Sequence, residues 1–205
     1  MKILVTGACG FVGKNLCAAL KNIRDGKARF HSELQIEDIY EYDILSAAED
    51  LEAFCREADF VFNLAGVNRP QNTDEFMAGN FGFASTLLDT LRTCGNTCPV
   101  VLSSSIQATL IGRYDSDYGR SKKAGEDLFF AYGKETGAKV LVYRFPNLFG
   151  KWCRPNYNSA VATFCNNIAN DLPIMVSDPA VRLELLYIAD LVEEMLCALA
   201  GKEHR

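Results

Sequence analysis

Residues 2–13 of the chain read KILVTGACGFVG. The apolar, β-prone residues 2–6 predict a buried strand, and the apolar spacing of 11–23 predicts a helix directly after it. Glycines between the two let the backbone turn sharply towards a pyrophosphate, to which the helix presents its free N–H groups and positive dipole end. This junction therefore predicts a nucleotide-binding turn, and it has neither the length nor the Ser/Thr of a P-loop. The expected phosphate-side residues are Gly7, Gly10, Phe11, Val12 and Gly13.

The alternation of strand and helix continues as far as residue 145. Ser46 and Glu49 fit a capping box at the start of the second helix. Residues 59–65 are nearly all apolar, as expected of a parallel strand covered on both faces. The repeated strand–helix–strand order predicts an α/β fold with a doubly wound parallel sheet. We predict strands at 2–6, 37–43, 59–65, 100–104 and 139–145, and helices at 11–23, 46–58, 74–93 and 119–136.

Beyond residue 145 the pattern loosens into a loop rich in Asn, Gly, Pro and aromatic residues. We predict a helix at 160–170, an extended stretch at 181–187 and a last helix at 190–200. The chain is therefore expected to have a nucleotide-binding domain at 1–145 and a small C-terminal lobe at 146–205. Residues 24–35 form a polar insertion that we expect to be a surface loop.

The composition argues against several classes of protein. The 205 residues are 49% hydrophobic and 23% charged, with a net charge of −5, which gives no electrostatic reason to bind nucleic acid or an anionic membrane. No apolar run reaches the ~20 residues of a membrane helix, and the N-terminus lacks the pattern of a signal peptide, so we expect a cytoplasmic protein. Among eight cysteines only Cys94 and Cys98 lie close together, without a histidine partner, so we expect reduced thiols and no metal.

Tyr118 and Lys122 lie one helical turn apart near the start of a predicted helix, so the phenol and the ammonium reach one site. A tyrosine with the ordinary pKa of ~10 is a poor acid–base catalyst at neutral pH, and we expect the neighbouring ammonium to lower that pKa. Ser105 follows the fourth strand, at the sheet edge where ligands bind, and could bond the reacting carbonyl. We expect Ser103 and Ser104 to line the cofactor side; alternatively, the three serines bond only local backbone.

Asp43 ends the second predicted strand, where an acid can accept hydrogen bonds from the ribose hydroxyls of an adenosine. An acid there favours NAD over a cofactor with a 2′-phosphate. Asp43 could instead start a turn or contact adenine, and its separation from Gly13 exceeds the usual ~20 residues. Arg24, Lys27 or Arg29 of the insertion could still bind a phosphate. The choice between NAD and NADP stays open.

Together these motifs resemble the extended short-chain dehydrogenase/reductase family, also called the NAD-dependent epimerase/dehydratase family, whose members act on nucleotide sugars. The resemblance covers essentially the whole chain and implies a Rossmann-like domain followed by a substrate-binding lobe. It implies a catalytic triad of Ser105, Tyr118 and Lys122, of which the last two also bind the cofactor. The other residues expected in the cofactor site are Leu64, Ala65, Gly66, Asn80, Ser103, Phe145 and Pro146.

Four longer strings resemble capsular-polysaccharide enzymes of the CapF type: AGVNRP (65–70), SSSIQAT (103–109), FPNLFGKWCRPNYNS (145–159) and ATFCNNIA (162–169). In that family a C-terminal cupin epimerises C3 of a UDP-4-keto-6-deoxy-N-acetylhexosamine, and the dehydrogenase domain then reduces C4 with NADPH. The resemblance implies the same reduction here, for a surface-polysaccharide precursor, with NADPH as the cofactor. The cupin has no counterpart in these residues, so we expect a fragment that carries part of the substrate lobe.

The resemblance and the loop chemistry also suggest contacts to the UDP-sugar. Trp152 and Tyr157 could equally be core aromatics of the small lobe. We expect a homodimer, with no nucleic-acid or membrane partner. The candidate substrate residues are Arg69, Gln107, Asn147, Lys151, Asn156 and Tyr157.

Alternative functions stay open on the same motifs. A nucleotide-sugar 4-epimerase uses the same triad and differs in retaining its cofactor. A catalytically silent nucleotide-binding module would need only the glycine turn, and the complete Ser–Tyr–Lys set argues against it. A 4,6-dehydratase usually carries an acidic pair after the strand-end hydroxyls, where this chain has Ile106 and Gln107.

Overall fold

A computed structural model gives the fold and describes residues 1–67, 72, 74–176 and 178–204. Strands and helices alternate as far as residue 145, in the order that the sequence predicts. The long helix predicted at 74–93 is divided by a π-helical turn at Met77–Gly82. The other elements are β1 Lys2–Thr6, α1 Phe11–Arg24, β2 Asp38–Tyr42, α2 Ala48–Glu57, β3 Phe60–Asn63, α3 Asp74–Phe76, α4 Phe83–Thr93, β4 Val100–Ser105, 3₁₀ turns at Ile106–Thr109 and Gly112–Tyr114, α5 Asp117–Thr136 and β5 Val140–Phe145.

The main sheet is five-stranded, in the order β2-β1-β3-β4-β5. β1 pairs in parallel with β2 on one side and with β3 on the other, and β3 pairs in parallel with β4. The carboxyl ends of these four strands therefore lie at one edge. In such a sheet the ligand crevice opens at the point where strand order reverses, here between β1 and β3. The doubly wound, Rossmann-like α/β fold is confirmed.

The core forms because the central strands are apolar on both faces. Leu4, Val61 and Val100, one from each of β1, β3 and β4, are completely buried. Leu88 of α4 and Phe129 of α5 pack in the same buried cluster. Helices thus cover the sheet, which explains why these strands read as continuous apolar runs rather than as alternating ones.

The capping box predicted at Ser46 and Glu49 is wrong. Ala47 precedes α2 without a side-chain cap, and the Ser46 hydroxyl instead accepts a hydrogen bond from the backbone N–H of Asp43 at 2.9 Å. The serine is therefore used by the turn after β2. Glu49 still lies in the first turn of α2, where a negative charge is favourable.

The chain divides into two compact units, Met1–Arg144 and Phe145–Arg205. In the second unit β6 and β7 form a parallel pair, and the last helix buries Leu191, Met195 and Leu196. The extended stretch predicted at 181–187 is a strand only over its last three residues. In the described part of the chain, no helix is both long and apolar enough to cross a membrane. The elements of this unit are β6 Asn147–Phe149, α6 Ala160–Ala169, β7 Leu185–Tyr187 and α7 Ile188–Leu199.

Candidate active site

The glycine-rich turn between β1 and α1 is packed too tightly for side chains. Gly7 has φ +69°, and a Cβ there would lie 2.7 Å from the backbone nitrogen of Ala65 and 2.8 Å from the carbonyl carbon of Leu64. A Cβ at Gly13 would collide with the Gly7 carbonyl oxygen and lie 2.7 Å from Cα of Ala8. The Leu64–Ala65 segment therefore lies directly against this turn.

The start of α1 leaves backbone donors open to a ligand. Gly10 precedes the helix in an extended conformation, and its N–H donates to the Gly7 carbonyl at 3.0 Å. The first helical hydrogen bond runs from Lys14 to the Gly10 carbonyl, so the amides of Phe11, Val12 and Gly13 have no acceptor within the helix. Three amides without a helical acceptor, beside glycines that leave no room for a Cβ, fit the pyrophosphate of a dinucleotide.

Asp43 directly follows β2 and lies beside this turn. Its Oδ2 accepts a hydrogen bond from the backbone N–H of Cys9 at 2.7 Å, and its Oδ1 accepts one from Ile44 at 2.9 Å. Asp43 thus starts a turn, as one of the alternatives anticipated. Arg24, the last residue of α1, and Lys27 of the insertion both form ion pairs with Asp25.

Lys122 is buried in the first turns of α5, with 7% of its surface exposed. Its Nζ donates to the Ser103 carbonyl at 3.1 Å and lies 5.8 Å from the centre of the Tyr118 ring. A Cβ at Gly66 would come within 3.0 Å of this Nζ, so the residue after Ala65 leaves room for the ammonium. Burial lowers the pKa of Lys122 from 10.5 to about 8.

The side chain of Ser105 acts on Tyr118 by lowering the pKa of the phenol. Ser105 Oγ also accepts the backbone N–H of Gln107 at 3.2 Å, which leaves the serine proton to be donated. Burial raises the pKa of Tyr118 to about 12, and Ser105 opposes this only in part. The expected lowering of this pKa by Lys122 is therefore wrong for the free protein, because the loss of water around the phenol dominates the shift.

Asn80 lies in the π-helical turn and is buried. Its Oδ1 accepts the N–H of Val67 at 3.0 Å, while its Nδ2 donates to the Val67 carbonyl at 3.0 Å and to Ser121 Oγ at 3.1 Å. Ser121 in turn donates to the Tyr118 carbonyl at 2.8 Å. Asn80 therefore ties the segment after β3 to the first turn of α5, as is typical of π-turns placed at functional sites.

Ser104 does not line the cofactor side as expected. Side chains alternate along a strand, and Ser104 Oγ donates to Oε1 of Glu126 at 2.6 Å. Arg144 binds the same carboxylate through Nε at 2.8 Å and through a terminal nitrogen at 2.6 Å. This Ser104–Glu126–Arg144 cluster joins β4, α5 and β5. The sequence did not predict this cluster, although Glu126 lies one helical turn after Lys122 and Arg144 interrupts an apolar strand.

Gln107 lies where the 3₁₀ turn after β4 meets the start of α5. Its side-chain oxygen accepts from the Ser116 hydroxyl at 3.4 Å, and Ser116 caps α5 by accepting the N–H of Gly119 at 3.0 Å. A Cβ at Gly119 would lie 2.6 Å from the Gln107 carbonyl oxygen. Gln107 thus supports the turn that carries Tyr118, and its contact with substrate stays a prediction.

The second unit holds most of the other predicted substrate residues. Asn147 bonds the Glu184 carbonyl through its backbone N–H and its side-chain amide. The Lys151 ammonium lies 4.1 Å from the centre of the Trp152 ring. Trp152 and Tyr157 are 47% and 43% exposed, so neither is a core aromatic.

The remaining candidates are placed as follows. Asn156 has φ 55°, and its N–H donates to Oγ1 of Thr163 at 2.9 Å. Phe145 ends β5, and Pro146 lies between β5 and β6. Arg69 lies outside the described residues. For all of these, binding of substrate or cofactor stays a prediction.

Comparison with known proteins gives the family. The model of the NAD dependent epimerase/dehydratase family matches residues 3–205. UDP-2-acetamido-2,6-beta-L-arabino-hexul-4-ose reductase of Pseudomonas aeruginosa is 42% identical over 202 residues, which cover 98% of this chain and 50% of that protein. The chain thus spans about half the length of this relative.

Solved structures of related proteins have the same fold as this chain. The capsular polysaccharide assembling protein CapF of Staphylococcus aureus superposes with a TM-score of 0.82 at 43% identity, over 100% of this chain and 52% of that one. UDP-glucuronic acid 4-epimerase of Bacillus cereus in complex with NAD has a TM-score of 0.76 at 23% identity, over 98% of this chain and 74% of the epimerase, which supports the fold alone. Because the family model matches nearly the whole chain, this chain belongs to the NAD dependent epimerase/dehydratase family.

Proposed function

We propose that the chain reduces the C4 ketone of a UDP-4-keto-6-deoxy-N-acetylhexosamine, in the synthesis of a capsular or other surface-polysaccharide precursor. The observation that carries this proposal is the grouping of Ser105, Tyr118 and Lys122 at the carboxyl end of β4. The relative from Pseudomonas aeruginosa, whose name specifies a reductase of a UDP-hexulose, supports the choice of substrate.

The protonation states suit a reduction. With a pKa of about 12, Tyr118 keeps its proton at neutral pH and can give it to the C4 oxygen, becoming a phenolate. Ser105 orients the carbonyl with the proton that its bond from Gln107 leaves free. Lys122, mostly charged at pH 7, holds the nicotinamide ribose beside Tyr118, since its ammonium lies 5.8 Å from the centre of the phenol ring. When bound, the reduced nicotinamide supplies the hydride that reaches C4.

The cofactor is NADPH if the resemblance to CapF-type enzymes holds at the ribose, whereas the Asp43 carboxylate favours NADH. Direct titration with both reduced cofactors decides between them. Tighter binding of NADPH would mean that a group other than Asp43 recognises the ribose end. Tighter binding of NADH would give Asp43 the role expected from the sequence.

Turnover with a UDP-4-keto-6-deoxy-N-acetylhexosamine and excess reduced cofactor tests the reaction. We expect one cofactor to be oxidised for each ketone reduced, with loss of reduced-cofactor absorbance and a new C4 hydroxyl by NMR. Interconversion of C4 epimers without net cofactor oxidation would instead identify a 4-epimerase. Cofactor binding without turnover of either kind would identify a silent module.

A homodimer and a cytoplasmic location are also part of this proposal. The eight cysteines are all free thiols, which suits a reducing compartment. Sedimentation equilibrium tests the dimer, and fractionation of cells that produce the chain tests the location. A monomer across the concentration range would contradict the first of these statements.

A further inference from the structure

The end of β2 holds the glycine-rich turn at two neighbouring points. The Tyr42 carbonyl accepts the N–H of Ala8 at 3.3 Å, and Oδ2 of Asp43 accepts the N–H of Cys9 at 2.7 Å. The carboxylate bond is the shorter of the two, and hydrogen bonds to a charged acceptor are about twice as strong as neutral ones. Asp43 is therefore the stronger attachment of the turn to the sheet.

The backbone donors of the turn divide into two groups. The N–H groups of Ala8, Cys9 and Gly10 all have acceptors within the protein. The amides that follow, at 11–13, open α1 and have no acceptor in the helix. The bond to Asp43 thus fixes Cys9, which lies two residues before the first of the open amides. The position of Cys9 therefore affects the direction in which the amides of residues 11–13 point.

Asp43 is itself oriented without any ligand. Its Oδ1 accepts the N–H of Ile44, and its own N–H donates to the Ser46 hydroxyl. These bonds hold the carboxylate against Cys9 whether or not a ribose is present. A carboxylate has about four acceptor sites, so a ribose contact would add to this arrangement and not replace it.

We propose that Asp43 is a positioning residue for the pyrophosphate site, acting through the Cys9 N–H on the shape of the glycine-rich turn. The inference rests on the proposed binding of a nicotinamide dinucleotide. If this is correct, loss of Asp43 weakens the binding of nucleotides with a ribose diol and of nucleotides without one.

Calorimetric titration with ADP and with 2′,3′-dideoxy-ADP separates positioning from recognition of the ribose, because the second ligand has the pyrophosphate but no ribose diol. Titration with adenosine separates positioning from a contact with adenine, because adenosine has no pyrophosphate and its binding should not change in Asp43→Ala. We expect Asp43→Ala to weaken the binding of ADP and of 2′,3′-dideoxy-ADP by the same factor, about 10- to 100-fold for a lost hydrogen bond to a charged group. Asp43→Asn keeps an acceptor oxygen for Cys9 and should retain most of the affinity for both.

Asp59→Ala is the matched control. Oδ2 of Asp59 accepts the N–H of Lys2 at 2.7 Å, the same kind of bond at the opposite end of β1. We expect it to lower the melting temperature about as much as Asp43→Ala while leaving both nucleotide affinities unchanged.

Three results would overturn the inference while the parent chain still binds ADP. In the first, Asp43→Ala weakens the binding of ADP alone, which assigns the residue to the ribose. In the second, Asp43→Ala weakens the binding of neither ligand. In the third, Asp59→Ala weakens the binding of both ligands as much as Asp43→Ala does. A parent chain that binds neither ADP nor a nicotinamide dinucleotide would instead refute the proposed function, and this inference with it.

Discussion

The β1–α1 turn and the β4–α5 junction are built from different groups, although both lie at the carboxyl edge of the sheet. The turn offers backbone amides above glycines that tolerate no Cβ. The junction offers the side chains of Ser105, Tyr118 and Lys122, and backbone groups of Gln107 and Ser103 bond the first and the last of these. We therefore expect substitutions in the turn to change nucleotide affinity, and substitutions at the junction to change rate or stability while binding persists.

Tyr118→Phe should have the largest effect. The phenol proton is the one transferred in the proposed reaction, so we expect turnover to fall by about 10²- to 10⁴-fold. Nucleotide affinity, measured by fluorescence titration, should stay near that of the parent. Tyr40→Phe removes a hydroxyl that bonds Glu57 at 2.7 Å, away from the junction, and should leave turnover intact. Full turnover in Tyr118→Phe would refute the catalytic assignment.

In the Ser104–Glu126–Arg144 cluster, we expect replacement of Arg144 to cost more stability than replacement of Glu126. Glu126 is 1% exposed, whereas the Arg144 side chain is 42% exposed. Arg144→Met leaves a buried carboxylate without its cation, which costs about 3–5 kcal/mol of unfolding free energy. Glu126→Met leaves a guanidinium that can reach water, so its cost should be smaller.

Urea denaturation of both single variants and of the double variant measures this difference. We expect the double variant to be more stable than Arg144→Met, because apolar replacement of a buried pair is often neutral. Equal losses in the two single variants would show that exposure of the arginine does not matter.

Gly13→Ala tests the turn. The new methyl would collide with the Gly7 carbonyl, and overpacking of this kind costs about 1–3 kcal/mol, or up to about 10²-fold in affinity. Gly125 in α5 is the matched helical glycine, since a Cβ there would meet nothing closer than 3.9 Å. Gly125→Ala should bind nucleotide like the parent and gain up to about 1 kcal/mol in stability. Equal nucleotide binding by the two variants would contradict the tight-turn argument.

Lys122→Met should stabilise the fold. Burial lowers the pKa of Lys122 from 10.5 to about 8, so keeping it charged at pH 7 costs about 3 kcal/mol. The lost bond to the Ser103 carbonyl offsets part of the gain. Between pH 8 and 10.5 the unfolded chain binds more protons than the folded one, so the parent gains stability as pH rises.

Denaturant titrations at several pH values test the sign of this effect. The advantage of Lys122→Met over the parent should shrink from pH 8 to pH 10.5. An advantage that does not vary with pH would mean that the charge of Lys122 is not what costs stability.

The features that the sequence predicts correctly are local. The strands, the position of the glycine turn and the closeness of Tyr118 and Lys122 each follow from a short contiguous stretch, where period and spacing are informative. The roles of these residues in binding and catalysis stay predictions. The cluster around Glu126 depends on residues from three elements, so no local pattern reveals it. The sequence predicts a lowered pKa for Tyr118 because it shows the spacing of Tyr118 and Lys122. It does not show that Tyr118 is buried, and burial raises that pKa. The predicted capping box is wrong because the Ser46 hydroxyl accepts the backbone N–H of Asp43. Asp43 lies three residues before Ser46, as close in sequence as Glu49 lies after it.

Because of the π-helical turn at Met77–Gly82, the number of residues in this turn affects which side chains lie beside Tyr118. An α-helix rotates by about 100° per residue, and a π-turn accommodates extra chain without ending the helix. Deleting one residue here would rotate Phe76, whose ring lies 5.6 Å from that of Tyr118, to another side of the helix axis. A single-codon deletion could therefore remove this aromatic neighbour while every named catalytic residue remained encoded.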